Sequence, residues 1–162
     1  MQFLNYFFAS IITFLGLLIG IVLIRIAPEE QKPLDKYFIM LRRILLLIIF
    51  AFLIFYYFKN FFIFFTLVIY LIFAVFVEFK TKNLLRKSML AYSILGILFF
   101  LSVQNINLFV IESSLMLLYG MPTASLIYNR KENNYHKLFL YNLGFVVAAN
   151  ILHILTLTIF PF

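Results

Sequence analysis

Glu112 is the one acidic side chain set well inside an apolar stretch, and His153 sits at matching depth in the next such stretch. A carboxyl beside an imidazole can pass a proton or hold a cation, and ionisable groups inside a membrane are functional candidates by default. Glu112 lies about five residues, roughly 7 Å at 1.5 Å per residue, from the end of its stretch. A bare charge at mid-membrane costs roughly 2.5 to 3.5 kcal/mol on insertion scales, somewhat less off-centre. At 100° per residue Glu112, Met116, Tyr119 and Thr123 form one stripe. Asn142, Val146, Ala149 and His153 form another, with Asn150 to one side. If the two stripes face each other they make a polar seam of Glu112, His153, Asn150, Asn142 and Tyr119. One acid and one histidine are few for a transport path, so a structural tie between the two helices is the stronger expectation.

Other chemistries lack their residues. With no cysteine, thiol catalysis, disulfides and thiolate metal sites are excluded. The histidines His136 and His153 do not form HExxH, and no metal site or cofactor is expected. The serines form no GxSG, the single aspartate Asp35 lies in a polar connection, and five glycines make no phosphate-binding loop. The chain is read as a non-enzyme.

The elements that must position these residues are membrane helices. A composition of 65% hydrophobic and 12% charged residues is far from that of a water-soluble domain. Mean hydropathy is +1.09. Apolar runs of this length lack the alternation of a barrel strand, and in lipid the backbone must be paired internally. The fold class expected is an all-α integral membrane protein of one domain. Its six transmembrane helices form three hairpins, with spans at about 3–27, 37–58, 61–79, 88–103, 108–127 and 138–160. Every Lys and Arg except Lys59 falls on the first, third and fifth connections or beside them. Basic residues are retained in the cytoplasm, so those connections are expected there and both termini outside. Arg42 and Arg43 read as side chains reaching back to the headgroups.

Within span one, Ala9, Thr13, Gly16 and Gly20 line one face, and Gly16 with Gly20 makes a GxxxG pair. Internal packing is its expected use and homodimerisation the other. Gly144 with Ala148 repeats the small-residue spacing in span six. Pro122, with Gly120 before it, predicts a kink in span five. Tyr6, Tyr37, Tyr56, Tyr57, Tyr128, Tyr135 and Tyr141 lie near span ends, where an aromatic belt is expected.

Three functions fit this pattern. The first is an interaction or assembly subunit acting laterally in the bilayer, bound to a membrane-protein partner or a second copy. The second is a small ion- or proton-coupled transporter or channel using Glu112 and His153. The third is a lipid-handling protein whose cytoplasmic bases draw anionic headgroups. The net charge of +7 is divided among three short connections, which argues against nucleic acid as a partner.

Overall fold

The computed structural model describes residues 3–128 and 134–159, and the described residues are all helix and short connection. Six helical segments are long and apolar enough to cross a membrane. The elements are α1 (Phe3–Phe14), α2 (Gly16–Ile26), a 3-10 turn (Pro28–Glu30), α3 (Gln31–Tyr56), α4 (Phe61–Lys80), α5 (Leu84–Ser102), α6 (Ile106–Ile127), α7 (Tyr135–Asn142) and α8 (Gly144–Ile159). Arg130, Lys131 and Glu132 of the fifth connection, and the end of span six at residue 160, lie outside the described residues.

Helix starts follow local chemistry. Asn60, Asn83 and Asn105 each turn a side-chain oxygen onto backbone amides of the next turn, capping α4, α5 and α6. Pro28 opens the 3-10 turn, and α3 begins at Gln31, earlier than its apolar stretch. The polar residues Lys32 to Lys36 are thus helical, because Pro33 falls in the first turn, where no amide donor is missed.

Two spans are each divided by a joint before a glycine. Leu15 shares its amide between the carbonyls of Ile11 and Ile12, at 3.0 and 3.1 Å, and α2 begins at Gly16. In span six the Asn142 side chain donates to the carbonyl of Leu138 at 2.8 Å. The amide of Leu143 then reaches only Leu140, at 3.4 Å, and α8 starts at Gly144. A side-chain amide competing for a helix carbonyl loosens that turn. Pro122, by contrast, is accommodated inside a continuous α6.

Helix α6 is the centre, touching α1, α2, α3 and α5, while α8 packs on α5 and α1. The small residues are spent in these contacts. A Cβ on Gly16 would stand 2.1 Å from the carbonyl oxygen of Leu117, and one on Gly20 2.3 Å from that of Met121. Gly120 answers from α6, where a Cβ would meet the backbone of Gly16 at 2.6 Å. The GxxxG face is therefore closed against α6, with Thr13 buried beside it and Ala9 packed on the core. Likewise Gly96 of α5 lies against Phe145 and Ala148 of α8. Helix α4 is the outlier, touching α3 and α5 and the least buried of the six segments.

Candidate functional site

The densest polar site is an ion cluster that joins α3, α4 and α5 and that sequence reasoning missed. Glu78, near the end of α4, accepts from Arg42 Nη2 through both carboxylate oxygens, at 2.5 and 2.7 Å. Arg43 Nε lies 3.3 Å from Glu78 Oε1. Lys87 Nζ donates to the Glu78 carbonyl at 2.6 Å and stands 3.8 Å from Oε1. Arg42, Glu78 and Lys87 are buried, while Arg43 is 41% exposed and lays its guanidinium 4.7 Å over the Phe79 ring. Three cations around one carboxylate leave the cluster net positive. Beside it a groove of about 250 Å³ runs between α3 and α4, lined by Arg43, Glu78, Leu46, Leu47, Val75 and Phe79. Arg42 thus does not reach back to the headgroups; a bidentate partner on the neighbouring helix holds it inside.

Arg42 also faces the centre of the bundle. Its Nε and Nη1 are buried without a hydrogen-bond partner, as are the hydroxyls of Tyr92 and Tyr119. The two phenol rings are tilted at 53° to each other, with centroids 5.8 Å apart. Tyr119 was singled out from the sequence, whereas Tyr92, eight residues into α5, carried no pattern that marked it.

The other predicted site residues fall in two places. Glu112 is fully buried, and neither of its carboxylate oxygens has a partner. It shares a stripe with Phe109, which meets Phe99 of α5 at 5.0 Å, and with Tyr119, which meets Tyr92. The stripe of span six turns elsewhere. His153 lies 4.2 Å from the Tyr6 ring, centroid to centroid, with its Nε2 unpartnered. Asn150 donates to Ser10 Oγ at 3.0 Å, and Tyr6 donates to the carbonyl of Ala149 at 3.1 Å. Asn142 is buried and bonds within its own helix. The structure brings Asn150 and His153 against α1, and no ion pair joins Glu112 to His153 among the described residues. Helix α1 packs on both α6 and α8, so the two stripes each find α1 or α5 before each other.

Several of the tyrosines near span ends also tie helices together. Besides Tyr6, Tyr57 donates to the carbonyl of Leu101 at 2.7 Å, and Tyr128 accepts from Arg25 Nε at 3.1 Å. Gln31 donates to the carbonyls of Ser125 and Tyr128, which fastens the start of α3 to the end of α6. The exposed Tyr37, Tyr56 and Tyr141 keep positions suited to a belt.

No group of three histidine or acidic side chains is placed to hold a metal ion among the described residues. No family model, curated protein or solved structure matches this chain.

Proposed function

We propose that the chain is a non-enzymatic, multi-pass membrane protein that works sideways in the bilayer and holds an anionic amphiphile between α3 and α4. The observation that carries this reading is the net positive cluster at the mouth of an apolar groove. Arg42 is engaged with Glu78, but Arg43 is half-exposed with its terminal nitrogens available to an acceptor. Leu46, Leu47, Val75 and Phe79 offer an apolar channel suited to an acyl chain. An arginine at headgroup level recognises phosphate or carboxylate by paired N–H groups and charge together.

In this reading the basic connections face the cytoplasm and both termini lie outside, so the groove opens to the leaflet richest in anionic lipid. The absence of native cysteine allows a clean check by single-cysteine labelling. Lys82→Cys should be reached from the cytoplasm and Asn60→Cys from outside.

The binding reading is tested with the purified full chain in vesicles of phosphatidylglycerol and phosphatidylcholine. Native mass spectrometry should find phosphatidylglycerol retained by the wild type and lost from Arg43→Ala, with inorganic phosphate unable to displace it. Displacement by phosphate makes the ligand a free anion; equal retention by both proteins overturns the site.

The assembly reading has an observation of its own. Phe62, Phe65, Ile69, Ile72, Phe73 and Phe76 leave most of α4 uncovered. A partner helix against that face would make the chain a subunit, and recovery from mild detergent only as a lone monomer removes this reading.

A further inference from the structure

We propose that Glu112 is a proton-binding site inside the membrane, reached from the side through the seam between α1 and α6. Its carboxyl is fully buried, both oxygens lack partners, and no cation stands within ion-pair distance among the described residues. An unpaired carboxylate in such surroundings carries a desolvation cost that nothing nearby offsets and that protonation removes, so the group rests as the acid and carries a proton. Nothing in the packing needs that acid. Leucine or methionine on the same stripe would bury as well, without an unmet donor.

A groove at that seam adjoins the turn that carries Glu112. Between α1 and α6 lies a groove of about 240 Å³ lined by Ala9, Ile12, Thr13, Phe109, Val110, Ser113, Ser114 and Leu117. Ser113 follows Glu112 directly, and Phe109, one turn earlier on the Glu112 stripe, lines the groove as well. Ser113 and Ser114 donate to the carbonyls of Phe109 and Val110, at 2.5 and 2.8 Å, which leaves their oxygen lone pairs able to accept. Thr13, Ser113 and Ser114 place three hydroxyl-bearing residues along this otherwise apolar groove. The joint at Leu15 separates α1, which lines the groove, from α2. Beyond it α2 is locked on α6 backbone to backbone through Gly16, Gly20 and Gly120, whereas α1 meets α6 through side chains around the groove.

The test is reaction with dicyclohexylcarbodiimide, a lipid-soluble reagent for protonated carboxyls. The acid O–H adds across one C=N bond: the proton goes to nitrogen and the carboxyl oxygen to the central carbon. The acyl group then shifts to nitrogen, leaving a stable N-acylurea. In the reconstituted full chain, peptide mapping should place the adduct on Glu112 and not on Glu78, whose carboxylate three cations hold. Glu112→Gln should lose the adduct while keeping its far-UV ellipticity. Ser113→Leu, which fills the groove and leaves the acid intact, should slow labelling several-fold and so stands even if the first variant misfolds. Arg43→Ala should label at the wild-type rate, which keeps the outcome separate from lipid binding. No adduct on Glu112, or labelling spread over other carboxyls, overturns the proton site. An unchanged rate in Ser113→Leu overturns the lateral path.

Discussion

Replacing Glu78 by methionine should be the most damaging single change in the ion cluster, and more damaging than replacing its partner Arg42. Glu78 is contacted by Arg42, Arg43 and Lys87, and Arg42 is 1% exposed, so Glu78→Met strands a buried guanidinium that has no second carboxylate among the described residues. Opposite charges about 4 Å apart attract by roughly 4 kcal/mol at an effective dielectric constant of about 20. Breaking a buried pair by removing one member costs about 3 to 5 kcal/mol, much of it the penalty on the charge left behind. Arg42→Met leaves Glu78 beside Arg43 and Lys87, so its loss should be about half as large. In the double variant Arg43 can turn outward and Lys87 keeps the Glu78 carbonyl. That protein should be at least as stable as Glu78→Met, with a coupling of about 1 to 3 kcal/mol between the two sites. The assay is unfolding of the full chain from mild detergent into dodecyl sulfate, followed by far-UV ellipticity because the chain has no tryptophan. Equal losses from the two single variants, adding to within about 0.5 kcal/mol in the double, would refute the reasoning.

The glycines provide a second set. Gly16→Ala drives a Cβ onto the carbonyl of Leu117 and should cost about 1 to 3 kcal/mol in the same assay. Gly144→Ala meets only the movable hydroxyl of Ser93, at 2.8 Å, and should be nearly neutral; equal losses at the two positions refute the packing described for α2. Tyr6→Phe removes one interhelical hydrogen bond to Ala149 and should cost about 0.6 kcal/mol, the usual scale for such bonds in membranes. A loss several times larger shows that the hydroxyl also serves His153. Asn150→Ala leaves Ser10 its own bond to Phe7 and should fall in the same range, read again by unfolding.

The apolar segments were legible because their length and composition leave lipid as the only suitable solvent, and their number matches the six helical segments found. The small-residue stripe was legible for a similar reason: Gly16 and Gly20 have no use unless another backbone comes close. The ion cluster was hidden by its position. Arg42 near a span end looks the same whether it reaches to water or turns inward, and only the partner on α4 decides it. An acid at Glu78, placed at the same end of the following helix, was the available signal. The expected meeting of Glu112 with His153 rested on consecutive spans being neighbours. Helix α1, the farthest away in sequence, packs against α8 and takes Asn150 and His153 as its own contacts. The joints at Leu15 and Leu143 were also hidden, since each depends on a hydrogen-bond choice local to one turn.

The fit of Gly16 and Gly20 against Leu117 and Met121 sets an order on biogenesis. A ribosome makes the first span long before the fifth, so the glycine face must wait among lipid tails while some hundred residues are added. Truncated chains that stop before α6 therefore carry a first span with no permanent seat, and membrane quality control should treat them as orphans.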